Sequence, residues 1–279
     1  MHDLSLQAET SPQQPFQLVN PDGLPGFLVL CDHASNALPD GYGTLGLPPA
    51  EFGRHIAWDI GAAGVARHLS ALLDCPAVLA RFSRLLVDLN RGEDDPTIVM
   101  KLSDGAIVPG NRDVDAHRDA AEFAHRIAAF HAPYHDAVES MIARARGKGA
   151  VPILISVHSF TPRWRGNVRP WHTGILWDKD GRLPVPLIAA LRAEGDIVVG
   201  DNEPYTGRLK NDCLYRHATM HGLPHALIEI RQDLIETEEG QAAWAARYAR
   251  HLAGIAAMPG LRDIRHFGSH ADPALPVSP

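Results

Sequence analysis

An α/β fold, with one domain built on a mixed, mostly parallel sheet flanked by helices on both faces, is what three features of the 279-residue sequence predict. Short apolar runs of strand length alternate with stretches of helical spacing. One run, Val151-Pro-Ile-Leu-Ile-Ser-Val157, is continuous and β-branched, as in a strand covered on both faces. Hydrophobic residues make up 45% and charged residues 21% of the chain, enough apolar material for a substantial core and far from a disordered composition. No fixed-period repeat interrupts this pattern. The Pro-, Ser- and polar-rich ends read as an N-terminal arm (1–20) and a C-terminal tail (266–279), leaving 21–265 as a single domain.

The first strand is Phe27–Cys31, stopped by Asp32-His33 and followed by Pro39. Apolar residues Ile60, Val65, Leu69, Leu72 and Leu73 predict a helix with one buried face, ended by Asp74-Cys75-Pro76. Ala77–Ala80 and Leu85–Val87 are short enough for two strands or a hairpin. Residues 115–146 are Ala-rich and predict two helices, or one kinked at Pro133. After the long run that ends in His158, strands are expected at Thr173–Trp177, Ile197–Val199 and Ala226–Ile230, with helices at 184–194 and 238–257. Asp178-Lys179-Asp180-Gly181 reads as a hairpin turn.

The charge balance narrows the function. Lys and Arg total 26 against 33 acids, a net −7 with neutral histidine, so no bulk positive field draws nucleic acid or anionic lipid. The polar, Pro-broken opening does not resemble a secretory signal, and no apolar run approaches the roughly 18 residues of a membrane span. A cytoplasmic protein with a small-molecule partner is expected. Cys31, Cys75 and Cys213 are widely spaced and form no CxxC, so they read as buried small apolar residues. The 16 histidines are unusually many, and imidazole is both a neutral-pH proton carrier and a common metal ligand.

In open α/β sheets, ligands bind beyond the carboxyl ends of the strands. The polar residues at those ends are Asp32-His33, Asp88 to Arg91, His158 and Asp201-Asn202-Glu203, with Glu229 inside the last strand. His33 and His158 either cap strands through hydrogen bonds or jointly ligate a metal, and a catalytic zinc commonly takes three N or O ligands and leaves one position for water. Asp59, in His55-Ile-Ala-Trp-Asp59, is either the N-cap of the following helix or a carboxylate ligand. The segment Arg81-Phe-Ser-Arg84-Leu-Leu-Val-Asp88-Leu-Asn90-Arg91 either forms salt bridges such as Arg84 to Asp88 or grips a substrate carboxylate. Glu229 is an acid in an apolar strand, paired with Arg231 or serving as a general base of raised pKa. His131 and His135, four apart around Pro133, read as helix-junction packing. No GxSxG, P-loop, GxGxxG or HExxH occurs.

Taken in order, Cys31-Asp32-His33-Ala-Ser-Asn36, Trp58-Asp59-Ile-Gly-Ala, Arg81 to Arg91, Val157-His158-Ser-Phe and Glu229-Ile-Arg-Gln-Asp233 resemble the N-formylglutamate amidohydrolase family over about 25–240. The resemblance implies a fold similar to the phosphorylase/hydrolase-like zinc exopeptidases and to aspartoacylase, which shares the DLNR string. It implies one Zn2+ per chain, held by His33 and His158. The wider superfamily places a glutamate where this chain has Asn36, and Asp59 is expected to supply the third ligand. Glu229 resembles the catalytic glutamate, Arg84 the arginine at the scissile carbonyl, and Asn90 with Arg91 the substrate-carboxylate clamp; Asn36 and Arg231 complete the expected substrate-binding set. The implied reaction is hydrolysis of an N-acyl, expected N-formyl, acidic amino acid by metal-activated water with Glu229 as base. The rival readings are a non-catalytic carboxylate-binding protein, a metallo-deacylase or carboxypeptidase of other substrate, and a metal-free hydrolase using Ser156 or Ser159.

Overall fold

The structure is a computed structural model that describes residues 14–272. The polar ends 1–13 and 273–279, which hold most of the expected arm and half of the expected tail, lie outside the described residues. The elements in chain order are β1 (Phe16–Val19), β2 (Phe27–Cys31), α1 (Ala62–Leu72), β3 (Ala77–Ala80), the hairpin β4 (Leu102–Ser103) and β5 (Ala106–Ile107), α2 (Ala120–Arg126), α3 (Ala132–Gly147), β6 (Ile153–Phe160), the hairpin β7 (Arg163–Trp164) and β8 (Asn167–Val168), β9 (Thr173–Leu176), α4 (Pro184–Ala193), β10 (Val199–Asp201), α5 (Cys213–His217), β11 (His225–Arg231) and α6 (Glu238–Ala256).

Seven strands form one sheet in the order β1-β3-β2-β6-β11-β9-β10. The pairs β3/β2, β2/β6, β6/β11 and β9/β10 are parallel, while β1/β3 and β11/β9 are antiparallel. Side chains alternate across a strand, and this sorts each apolar run between two core layers. Phe27, Val29, Ile153, Ile155, Val157, Ala226, Ile228 and Ile230 pack with α1, α4 and α6 on one face. Leu28, Leu30, Leu154 and Leu227 pack with α3 and α5 on the other. The continuous apolar character of β6 therefore reflects burial of both faces. No helix among the described residues is long and apolar enough to cross a membrane.

Several elements differ from the sequence expectation. Residues 16–19, read as part of an arm, form edge strand β1 and pair with β3. Leu85–Val87 is buried but is not a strand, because side chains satisfy its backbone: Asn111 Nδ2 donates to the Leu85 carbonyl at 2.7 Å and Arg126 Nη1 to that of Leu86 at 2.9 Å. The tenth strand is Val199–Asp201, two residues later than predicted, and β6 continues through His158 to Phe160. Asp178 to Gly181 makes no hairpin and leads into α4, with Asp180 bonded to Arg182. Between α2 and α3, residues Ile127–His131 form a π-helical turn that runs directly into α3, whose first turn contains Pro133. A Pro tolerated there needs no amide hydrogen, so the two predicted helices join without a break.

Candidate active site

The parallel register of β6 and β11 sets Glu229 beside His158. Leu154 and Leu227 face the α3 layer, so by alternation His158 and Glu229 leave the same face on adjacent strands near their carboxyl ends. One strand over, His33 follows the end of β2. Asp59 arrives from the turn before α1, and its amide donates to the His33 carbonyl at 2.9 Å, which ties the two segments together. The α1 N-cap is Gly61, which leaves the Asp59 carboxylate for other partners.

That carboxylate stands between the imidazoles. Asp59 Oδ2 lies 2.7 Å from His158 Nδ1 and 3.3 Å from His33 Nδ1, and the ring centroids are 4.9 Å apart. Each imidazole has a further carboxylate behind it. His33 Nε2 is 2.6 Å from Asp88 Oδ1, and His158 Nε2 is 3.3 Å from Asp32 Oδ2 and 3.0 Å from Ser156 Oγ. A carboxylate on Nε2 holds the proton there, so the Nδ1 lone pair of each ring is presented on the Asp59 side. His33, Asp59 and His158, all buried, offer three ligand atoms within 4.8 Å of one another.

The electrostatics suit a cation. Burial alone would raise the Asp59 carboxyl, but His33 and His158 reverse this and hold it well below the usual range. At Asp88, Arg84 and His33 overcome burial in the same way, and at Asp32, His158 does. Burial opposes charge on His158, yet Asp32 and Asp59 together push its pKa well up. Three buried carboxylates, Asp32, Asp59 and Asp88, crowd the two imidazoles, with the Arg84 guanidinium beside them. A divalent cation fits this donor set, whose ligand types are those of zinc and related metals.

Glu229 is 6% exposed and its Oε2 is buried with no hydrogen-bond partner among the described residues. Burial raises its pKa to about 7, with the Asp59 carboxylate reinforcing the effect and His158 opposing it. The Arg231 pairing does not form: Arg231 Nε donates to Asp233 at 2.8 Å. Arg84 is bound to Asp88 through Nε (3.1 Å) and Nη2 (2.6 Å), while Nη1 lies 3.6 Å from Asp59 Oδ1. The salt-bridge reading of this arginine is thus realised, and its remaining edge still meets the site.

These groups open on a cavity of about 650 Å³ whose wall includes His33, Asp59, Arg84, Asn90, Arg91, His158 and Glu229. Asn90 Oδ1 accepts from the Cys213 amide at 3.1 Å, which leaves its NH2 group as the polar end available to a ligand. Arg91 Nη1 donates to the Asn90 carbonyl at 2.8 Å, with Asp95 3.6 Å from its Nε. Asn36 and Arg231, expected among the substrate contacts, are not in this wall. The Asn36 amide donates to the Phe52 carbonyl at 2.8 Å, and Arg231 is turned to Asp233. Ser156, His158 and Asp59 are connected like a serine-hydrolase triad, but Ser156 is 0% exposed and absent from the wall, so no substrate reaches its oxygen. Ser159 Oγ donates to the Ile60 carbonyl.

Sequence reading missed Asp32 and Asp88 as the groups that orient the histidines, although each follows an apolar run. It also missed Asp212 and Tyr205, which line the cavity and carry no motif. His131 and His135 do pack at the helix junction, with His135 Nδ1 2.8 Å from His217 Nε2. His135, Cys213 and His217 form a second buried group able to hold a metal. All three cysteines are buried and free.

Comparison with known proteins places this arrangement. The family model described as N-formylglutamate amidohydrolase matches residues 26–236. The chain belongs to this family. It is therefore a hydrolase-family protein of the amidohydrolase type. A gene product from Agrobacterium tumefaciens is similar in structure, at 37% identity and a TM-score of 0.81, with 87% of this chain and 94% of that chain covered. The N-formylglutamate amidohydrolase from Ralstonia eutropha JMP134 shares the fold at 23% identity and a TM-score of 0.60, covering 87% of this chain and 97% of that one. No curated protein matches the sequence.

Proposed function

We propose that the chain is a divalent-metal amidohydrolase that cleaves the amide of an N-acyl acidic amino acid, with N-formylglutamate as its substrate. The observation that carries this reading is the partnerless Glu229 carboxyl in register with His158, beside two imidazoles whose Nε2 atoms are each engaged by a carboxylate. His33, Asp59 and His158 would hold the cation, which supplies a water of lowered pKa and polarises the scissile carbonyl. Glu229, with a pKa of about 7, takes the proton of the attacking water and returns it to the departing amine. Arg84 is held rigid by Asp88 and sets its outer edge toward the oxyanion, a role worth roughly 3 to 4 kcal/mol for a well-placed donor. Asn90 and Arg91 hold a substrate carboxylate. Three free cysteines accord with a cytoplasmic, reducing compartment.

Elemental analysis of the purified protein tests the metal, and release of amine from N-formyl, N-acetyl and N-succinyl amino acids tests the chemistry. About one equivalent of metal per chain is expected, lost together with turnover in His33→Ala and His158→Ala. Unchanged metal content in both variants would remove the proposal. An alternative role as a carboxylate-binding protein requires Glu229→Gln to leave every property intact.

A further inference from the structure

Outside the catalytic cavity, three imidazoles and a thiol meet where the π-helical turn and α3 pack against α5. His131 and His135 are four residues apart across that turn and the start of α3, and Cys213 and His217 are four apart on α5, so each pair shares one helix face. All four are at most 2% exposed, and none is in the cavity wall. His135 Nδ1 lies 2.8 Å from His217 Nε2, and His135 Nε2 lies 3.2 Å from His131 Nε2. The row is still incompletely satisfied. His131 Nδ1 and His217 Nδ1 are buried with no hydrogen-bond partner among the described residues, which folded chains seldom tolerate in side chains. His135, Cys213 and His217 each offer a ligand atom, all within 4.8 Å of one another. Burial keeps the imidazoles below their ordinary pKa and therefore neutral, the form that binds a metal. Cys213 is held as a thiol by burial and by the nearby Asp32 carboxylate.

We propose that His135, His217 and Cys213 form a second metal site, which takes a thiophilic divalent cation of the zinc class and pins α5 to α3. Thiolate and imidazole together select such cations over magnesium and calcium, which take oxygen ligands. Binding breaks the Cys213 S–H bond: sulfur keeps the electron pair as ligand, and one proton leaves to solvent for each ion bound. The His135–His217 hydrogen bond opens at the same time, since two nitrogens on one tetrahedral zinc stand roughly 3.3 Å apart. His217 then carries its proton on Nδ1, whose carboxylate neighbour is Glu139, 3.9 Å away on an exposed side chain of α3. A nitrogen that is otherwise partnerless thereby gains an acceptor. The site fills after the catalytic one, because its only anion forms on binding, whereas Asp59 is ionised beforehand. It stands whether or not the chain is an amidohydrolase.

Equilibrium dialysis of the chelator-treated full chain against cobalt(II), read by metal content and absorption, compares the wild type with Cys213→Ser and His33→Ala. The wild type should bind about one equivalent beyond what the catalytic site holds. That extra ion should bring a near-ultraviolet thiolate-to-cobalt charge-transfer band, which a site of nitrogen and oxygen ligands cannot give. Cys213→Ser should lose the band and the extra equivalent, while His33→Ala should keep the band. Added zinc should raise the Tm of the wild type further than that of Cys213→Ser, since an ion that binds only the folded state stabilises it. The serine variant changes one atom; if it nevertheless fails to fold, His217→Gln takes its place, and a band lost or weakened about 10-fold or more in cobalt affinity supports the site. No band in the wild type at saturating cobalt overturns it. So does a band that survives unchanged in these variants, which would put the thiolate at Cys31 or Cys75. A chain that gains the band yet holds the same total metal in His33→Ala and His158→Ala would refute the catalytic metal and leave this second site in place.

Discussion

Glu229 owes its chemistry to three local facts: burial, a facing Asp59 that raises its pKa, and a neighbouring His158 that keeps it from rising further. A carboxyl at about 7 is matched to proton transfer at neutral pH. Glu229→Gln removes the base while preserving shape, and kcat should fall by about 10²- to 10⁴-fold with substrate affinity largely retained, as single-turnover kinetics and calorimetric binding would show. The base must be ionised, so kcat/KM should rise with pH along a limb centred near 7, or lower once a cation adds its charge. A flat profile from pH 5 to 8 would contradict this assignment. Behind the ligands, Asp88→Asn should weaken metal affinity about 10- to 100-fold without unfolding the chain, measured by competition with a chelator. The histidines and Glu229 were legible as candidates because each interrupts or ends an apolar run. Asp88 was read only as half of a salt bridge, since its second contact, to His33 Nε2, spans 55 residues of sequence.

Secondary-structure elements bring these residues into reach, and the turns carry much of the precision. Asp59 is set by Gly61, whose φ of +81° opens α1 against Ile235. A Cβ at that position would lie 2.2 Å from the Ile235 carbonyl oxygen, in a backbone region that L residues avoid. Gly61→Ala should therefore cost roughly 1 to 3 kcal/mol in urea denaturation and also lower metal affinity, because it moves the carboxylate between the two histidines. Stability and affinity both unchanged would show that the turn does not hold Asp59. Strands with strong apolar patterns, β2, β6 and β11, were readable from sequence, as were α1, α4 and α6. Leu85–Val87 was not, because its hydrophobicity reports burial alone, while its hydrogen bonds go to Asn111 and Arg126 rather than to a neighbouring strand. The edge strand β1 was hidden for the opposite reason: four residues, three of them only partly buried, leave little pattern beside a Pro-rich arm.

Across the whole molecule, buried titratable groups set a pH window for stability. Burial holds His131, His135 and His217 below their ordinary pKa, the last to about 3. The unfolded chain then binds more protons than the folded one, so the stability these groups confer is present above about pH 6.5 and is lost on acidification. Asp32, Asp59 and Asp88 add a second loss below about pH 4. Asp212 acts in the other direction. Burial raises it to about 7, so its contribution is full below about pH 4 and fades as pH rises to 7. Asp212→Asn keeps an oxygen for the Tyr215 amide and should be more stable than the wild type at pH 8 but nearly equal at pH 4, by chemical denaturation at each pH. Equal curves at both pH values would show that Asp212 is not held protonated. Local pattern was sufficient to determine the layered α/β architecture and to nominate His33, Asp59, His158 and Glu229, because burial periodicity and costly polar interruptions are written residue by residue. Tertiary structure alone decided that Asn36 and Arg231 turn away and that Asp32 and Asp88 stand behind the imidazoles. Each of those facts depends on which distant groups fill the space around a charge, and electrostatic partnership follows distance in space rather than along the chain.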